Sequence, residues 1–487
     1  MPPPDHLAPD APHVVVVGGG ITGLATAWFL RDRARVTVLE ADGRLGGKIR
    51  TSSLGGVPVE EGPDTFLARV PHARELAAAL GVETVAPATG KAFIWTRGRL
   101  RRLPTGQVLG VPVELGPLLR SGVLPPAAVA RAGLDLLLPR RRPGLSADPS
   151  VADVIGARMG QAVVDRLVEP LVGGINAGRA DDLSLAATAP QLAAAAGSRS
   201  LILGLRRGRR PTPTTTATAP AAAAAAAAGP LFLGVTGGLG QLVDRLAAAL
   251  AEAGVDIRPG TAVRHVEPDR DAGGYRVVTA DGTALAAAVV VAVPAFAAGP
   301  MLRGAAPAVA ADLERIRYAS VAVSTLAYRP ADVGSPLDGA GFLVPRIERR
   351  LMTACTWSTS KWPTLAESGL VLVRASVGRS GDDRFADLAD DELVDQLHRE
   401  LSAIIGVRRP PVTSLVSRWP DGFPQYQPGH QRRVDRIEAG LAAALPGVVV
   451  AGAAYRGLGI AACVRQAEEA ATATSARLST PGGGKIG

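Results

Sequence analysis

The residues whose types and spacing could do chemistry come early in this 487-residue chain: Gly18, Gly20 and Gly23, spaced GxGxxG, and Glu40, twenty positions after Gly20. Glycine lets backbone approach a phosphate closely, and an acid at that distance can accept hydrogen bonds from both hydroxyls of a ribose. Gly19, Ile21 and Thr22 complete the turn, and Ala41 follows the acid. The chemistry implied is the holding of a dinucleotide. A second glycine pair, Gly46 and Gly47, lies between the cations Arg44 and Lys48. Cations there suit an anionic cofactor, with a basic surface loop as the plain alternative. NAD and FAD share the first unit, so the glycines alone do not choose between them.

A strand, a helix and a second strand must position these groups. Val14 to Val17 is a β-branched run that reads as a buried strand, and Ile21 to Leu30 carries apolar residues at helical spacing. A phosphate would then meet the free N–H groups of a helix N-terminus. Val36 to Leu39 reads as the second strand, ending at Glu40. Near the other end of the chain, VVVAGAAYRGLGIAACVRQ repeats strand, glycine turn and helix. Its helix N-terminus points to the same ligand. Between these ends, KAFIWTRGRLRR reads as strand, turn and strand, and residues 300 to 430 as strands with few helices. Ala284 to Leu302 is uncharged, but Pro294, Gly299 and Pro300 predict a strand and turn there rather than a membrane span.

Composition bounds the answer further. With 47% hydrophobic residues the chain can fill a large core of two or three domains. Cys355 and Cys463 are the two cysteines, far apart, so neither a disulfide framework nor a metal site is suggested and a reducing cytoplasm fits. The N-terminus, MPPPDHLAPDAPH, lacks a cationic start and an apolar core and does not read as a signal peptide. The net charge of +9 is uneven: nine arginines lie between Arg97 and Arg142 against Glu114 and Asp135, and five more between Arg199 and Arg210. No recognition motif accompanies them, which argues against nucleic acid and for an acidic substrate or an anionic membrane surface. The stretch AAVARAGLDLLLPRRR could lie on such a surface, or simply present a solvated basic face. Residues 206–230 are low-complexity and read as a disordered insertion.

Several stretches carry a resemblance. Arg44, Gly46, Gly47 and Lys48 resemble the RxGGR/K element of the amine-oxidase-like flavoprotein superfamily. EEGPDTFLARVPHARELAAALG, EPLVGGINAG, TACTWSTSKWP, VLVRASVG and RWPDGFPQYQPGH resemble the oxygen-dependent porphyrinogen oxidases of haem synthesis. The likeness covers nearly the whole chain except residues 1–12 and 206–230. It implies non-covalent FAD, contacted by Gly62, Pro63, Asp64 and Thr65, with backbone at Val263 facing the adenine and Trp419 approaching the flavin. Gly452, Gly457, Leu458, Gly459 and Ile460 would hold the flavin end, the helix dipole stabilising negative charge on the reduced ring. As plain chemistry Trp419, Phe423 and Tyr426 could equally be core. Arg69 would sit at the substrate cavity as a partner for a carboxylate, or be an exposed arginine at a helix start. In the family a helix ends at EPL and a glycine turn follows, so Gly174, Ala177 and Gly178 would form a cavity wall. Asn176 stands there where the family usually has an aromatic residue. Cys463 reads as a small buried cysteine rather than a covalent flavin link.

The fold class implied is α/β: a Rossmann-like FAD-binding domain of this superfamily, with a mixed-sheet substrate domain and a helical insertion. The FAD-binding domain is expected at residues 13–95, 231–299 and 431–480, a helical substrate- or membrane-facing domain at 96–205, and a β-rich substrate domain at 300–430. The expected reaction is six-electron oxidation of coproporphyrinogen III to coproporphyrin III by O2, releasing H2O2, with no catalytic side chain required. Protoporphyrinogen IX is the alternative substrate, a flavin amine oxidase the alternative enzyme, and a non-catalytic FAD-fold binding module the alternative outside enzymes. A cytoplasmic protein, peripheral on the inner membrane face and handing product to a ferrochelatase-type enzyme, would follow from the same likeness.

Overall fold

A computed structural model describes residues 11–137, 148–208, 229–271 and 273–479. The low-complexity residues 209–228, the arginines at 140–142 and residues 1–10 lie outside the described residues, so the insertion and the basic end of AAVARAGLDLLLPRRR are placed only at their edges.

His13–Val17 is the central strand of a five-stranded parallel sheet. Its neighbours are Arg35–Leu39, then Asp256–Arg258, on one side, and Ala288–Val291, then Val448–Val450, on the other. A strand buried on both faces needs apolar residues at every position, which is why four valines run consecutively. Val14 and Val16 pack into a core with the helices Ile21–Leu30, Gly240–Glu252 and Ile460–Leu478. Val15 and Val17 face the opposite way, onto Val263, Tyr275, Val277 and Ala286. Those residues belong to a three-stranded antiparallel sheet, Val263–Pro268, Tyr275–Thr279 and Thr283–Ala286, which covers that face. After Ala288–Val291 the chain makes the helix Ala295–Leu302, where a strand and turn were predicted; Pro294 is its N-cap.

The second body is a seven-stranded sheet ordered Thr413–Pro424, Tyr318–Tyr328, Val371–Val377, Met352–Trp357, Gly341–Leu343, Ala92–Thr96 and Arg99–Arg102. Ala92–Thr96 and Arg99–Arg102 form the predicted hairpin, turning at Arg97 and Gly98 with φ of 54° and 76°. Ala92–Thr96 joins the sheet through a parallel pairing with Gly341–Leu343. The 16-residue helix Asp390–Ile405 covers one face with Leu393, Leu397, Leu401 and Ile405.

Helices from Leu115 to Gly208 enclose a third core around Leu118, Ile155, Leu167 and Leu183. The family pattern of a helix ending at EPL does not hold. Val164–Gly173 runs as a π-helix with Pro170 inside it, and helical backbone continues through Gly174–Asn176 to a left-handed stop at Ala177. Proline has no N–H and crowds the preceding turn, and the wider π turn accommodates it without ending the helix.

Candidate cofactor and substrate site

The first glycine turn is set by contacts that leave no room for side chains. A Cβ at Gly23 would lie 1.8 Å from the Gly18 carbonyl oxygen, so helix and strand meet backbone to backbone. The Gly18 N–H donates to Leu39 O (2.7 Å) and the Gly46 N–H to Gly19 O (2.9 Å), which brings the second glycine pair beside the first. Gly20 and Gly46 form an isolated parallel bridge. Glu40 ends its strand against this turn, its carboxylate accepting from the N–H groups of Gly19 and of Asp42, the latter at 2.8 Å. Thr261 N–H donates to Glu40 O (2.7 Å), placing Val263, two residues on, close to the acid. Arg44 turns back on its own loop and donates to Gly47 O. Ala41 is exposed beside Glu40.

Lys48 is half-buried, and no carboxylate among the described residues pairs with it; burial pulls its ammonium below the usual lysine range. Thr22, in the first turn of Ile21–Leu30, lies 3.6 Å from where a Cβ at Gly452 would be, and Cys463 is close enough to Thr22 for a side-chain hydrogen bond. The two glycine turns and their two helix N-termini therefore converge, and the unneutralised Lys48 lies near Cys463 in the first turn of the second helix. Such a place suits a pyrophosphate. Cys463 is buried and unpaired, and burial raises its thiol pKa.

The C-terminal glycine turn is held by a residue that the sequence left open between core and site. The Tyr426 hydroxyl donates to Ala453 O (2.6 Å) and accepts from the Gly457 N–H (3.0 Å), while its ring stacks on His430 at 4.0 Å. Gly452 and Gly457 have φ of 131° and 134°, and Gly459, with φ 97°, is the N-cap of the helix that begins at Ile460; Leu458 is half-buried between them.

The stretch Glu60 to Thr65 runs between the two bodies. A Cβ at Gly62 would lie 2.0 Å from Lys48 O, so this loop rests directly on the second glycine pair. Trp419 Nε1 donates to Glu61 O (2.8 Å), Ser417 Oγ to the Glu61 carboxylate (2.7 Å), and Arg374 to Gly62 O. Asp64 pairs with Lys361 at 2.6 Å. Burial alone would raise the Asp64 carboxyl, but Lys361 and Arg374 hold it below the usual carboxylate range. Pro63 and Thr65 are half-buried on either side of Asp64. Lys361, Arg374 and Ser417 are partners that sequence reasoning did not single out. The signal for Lys361 and Arg374 was confined to their places in TACTWSTSKWP and VLVRASVG, and Ser417 stands just before RWPDGFPQYQPGH.

Ala177 meets Trp419 and Phe423 in a small cluster with Ala319 and Val321, which brings the 174–178 turn to the same seam. Asn176 is buried and faces inward: its side chain donates to Val172 O (2.7 Å) and its carbonyl accepts from Gln425 (2.9 Å). A Cβ at Gly178 would lie 2.7 Å from Gln425, whereas one at Gly174 meets nothing within 4 Å. Packing therefore accounts for Gly178, and Gly174 stands in open space. Arg69 is exposed two residues before the helix Pro71–Ala79, and no carboxylate among the described residues pairs with it. A separate cavity of about 270 Å³ is lined by Asp165, Glu169, Arg179, Asp181, Arg346 and Ile347, among others. Three carboxylates against two arginines make it a poor seat for a polyanion, and none of the cofactor candidates lines it.

Residues 21–474 match the family described as flavin containing amine oxidoreductase. The chain belongs to that family. It is 34% identical to a coproporphyrinogen III oxidase of Bacillus subtilis (strain 168), over 94% of this chain and 97% of that one. A coproporphyrinogen III oxidase of Propionibacterium freudenreichii subsp. freudenreichii is 37% identical, over 96% and 92%. The crystal structure of a candidate protoporphyrinogen oxidase from Exiguobacterium sp. 255-15 superposes with a TM-score of 0.82 at 32% identity, covering 96% of this chain and 99% of that one. The cofactor of this flavin amine oxidoreductase-type chain is FAD. The residues present fit it: close backbone approach at Gly18 and Gly23, the Glu40 carboxylate at the turn, and the unpaired Lys48 near Cys463 in the first turn of the second helix. Among the described residues no helix is long and apolar enough to cross a membrane.

Proposed function

We propose that this protein is a porphyrinogen oxidase that converts coproporphyrinogen III to coproporphyrin III with three O2, releasing three H2O2. The observation that carries the reading is the match, along 94–96% of the chain, to relatives named coproporphyrinogen III oxidase. When bound, FAD takes a hydride from a meso carbon of the reduced macrocycle and passes the electrons to O2, three times per substrate. The chain's own residues position. Glu40 receives the adenosine ribose hydroxyls, beside backbone at Val263; Gly18 to Gly23 and Lys48 hold the pyrophosphate; Gly62 to Thr65, Trp419 and the turn from Gly452 to Ile460 hold the flavin end. The pyrrole nitrogens activate the meso C–H bond, so no side chain needs to move a proton in the slow step. Ala177, on Trp419, and the open Gly174 form the wall that a flat macrocycle lies against, with the exposed Ile175 offering it apolar surface. Arg69, exposed and unpaired, is the carboxylate partner; charge-assisted pairs of this kind contribute about 1–3 kcal/mol.

Protoporphyrinogen IX is the second reading, because the superposed Exiguobacterium protein carries that name. It has two propionates where coproporphyrinogen III has four. Measuring kcat/KM for both under air, with porphyrin fluorescence and H2O2 followed together, decides between them. A tenfold preference for protoporphyrinogen IX overturns the substrate and keeps the flavin chemistry; turnover of simple amines with neither porphyrinogen oxidised overturns the reaction.

The same reading puts the protein in the cytoplasm, where it passes its product to a ferrochelatase-type enzyme. Exposed Leu119 and Leu203, on helices that also carry Arg120 and Arg207, and exposed Leu134 and Leu137, just after the helix that carries Arg131, support reversible contact with anionic lipid. Binding to anionic vesicles that does not weaken with salt excludes that contact.

A further inference from the structure

Residues 60–65 touch both bodies of the molecule, and the two sides hold them differently. On the cofactor side the hold is backbone contact at Gly62, the Glu60 carboxylate, which accepts from Thr51 Oγ1 (2.8 Å) and from the Leu239 N–H (2.5 Å), and the Glu61 carboxylate, which accepts from Ser52 Oγ and pairs with Arg50 at 2.7 Å. On the other side four groups are tied to the seven-stranded sheet: Glu61 O by Trp419, the Glu61 carboxylate by Ser417, Gly62 O by Arg374 and the Asp64 carboxylate by Lys361. The two cations stand on ordered elements. Lys361 ends the short helix Ser358–Lys361 that leaves the strand Met352–Trp357. Arg374 sits mid-strand in Val371–Val377, opposite Thr325 and Thr356. The Asp64 and Lys361 side chains are 16% and 14% exposed, so the pair works at low dielectric. Residues 61–65 themselves belong to no helix or strand, and their place is dictated by these partners.

We infer that Lys361 and Arg374 are positioning residues that hold the flavin ring through the 62–65 loop, Lys361 by its ion pair with Asp64 and Arg374 by its hydrogen bond to Gly62 O. The inference rests on the cofactor seating proposed above. Hydride transfer is steep in geometry, and displacement of about 1 Å can cost on the order of a hundredfold in rate. A clamp placed on the loop beside the ring, with its feet on the substrate-side sheet, keeps ring and substrate wall in register.

The test compares Lys361→Met, Asp64→Asn, the double variant, Lys361→Arg and Arg374→Lys, reading the visible-region circular dichroism of bound flavin, the FAD Kd, and kcat and KM separately. Lys361→Met alone strands a buried carboxylate and can fail to fold. The double variant removes both charges of the Asp64–Lys361 pair together and keeps the question answerable. The expected result for it is a changed visible dichroism, a kcat lower by about tenfold or more and a KM within about threefold. Lys361→Arg is expected to restore kcat to within about threefold, and Arg374→Lys, which keeps charge but loses the guanidinium fork, to lower it. A double variant that is less stable but unchanged in dichroism and kcat overturns the inference and leaves a simple domain staple. If Glu40→Ala keeps FAD as tightly as wild type, the cofactor seating fails instead, and the two failures are read from different proteins.

Discussion

Trp419 Nε1 donates a hydrogen bond to the Glu61 carbonyl at 2.8 Å, joining residues 358 positions apart across the seam between the parallel sheet and the seven-stranded sheet. The indole is also packed beside Ala177, so one side chain touches the proposed cofactor loop and the proposed substrate wall. Trp419→Phe keeps most of the apolar contact and leaves Glu61 O without its donor. It should destabilise the protein by about 1–3 kcal/mol and alter the bound flavin spectrum, checked by thermal unfolding and absorbance. Wild-type stability and spectrum in this variant exclude the seam role.

Glu40 should dominate retention of the adenosine end. Removing its carboxylate in Glu40→Ala is expected to weaken FAD binding by about 1–3 kcal/mol, roughly 5- to 150-fold in Kd, measured by fluorescence titration of the apoprotein. All of the flavin should leave the wild-type protein on acid denaturation, because Cys463 is a buried thiol whose pKa burial raises. Flavin that stays with the precipitate would show a covalent link.

Gly23→Ala and Gly43→Ala make a matched pair. The first puts a methyl 1.8 Å from the Gly18 carbonyl oxygen, a backbone atom that cannot step aside; the second meets nothing within 4 Å. Gly23→Ala should yield protein without FAD or no folded protein, and Gly43→Ala should be indistinguishable from wild type in flavin content and Tm. Normal flavin content in Gly23→Ala would show that the turn is looser than its contacts imply.

Glu60 gives a pH dependence with a definite sign. Burial raises its carboxyl from 4.5 to about 7, so between those values the folded state holds the proton more tightly than the unfolded chain. Its contribution to stability is complete below pH 4.5 and lost as pH rises to 7. Allowing for its partial exposure, the loss is on the order of 2–3 kcal/mol. Glu60→Gln cannot ionise, so its urea midpoint should exceed that of wild type at pH 8 and approach it at pH 5. His430, which burial lowers to about 4, loses stability in the opposite direction, as pH falls from 6.5, and cancels in the difference between the two proteins. A difference that does not change with pH would place Glu60 outside the buried network.

Much of the cofactor site was legible in the residues themselves. GxGxxG, Glu40 and the four valines encode a strand, a turn and a helix N-terminus within one local stretch, where backbone sterics and hydrophobic period act over a few residues. The second glycine turn at Gly452 to Gly459 is local in the same way. What only the tertiary structure decided is non-local or chemically unmarked. No spacing rule could pair Asp64 with Lys361 or Trp419 with Glu61, because each pair joins the irregular 61–65 loop to a partner 297 or 358 residues away in sequence. The family resemblance implied a helix ending at EPL, and packing turned the stretch into a π-helix that continues helically to a stop at Ala177. Asn176 stands where the family usually has an aromatic residue, and the fold turned its side chain inward onto Val172 O, since a buried amide must find a partner wherever the chain offers one.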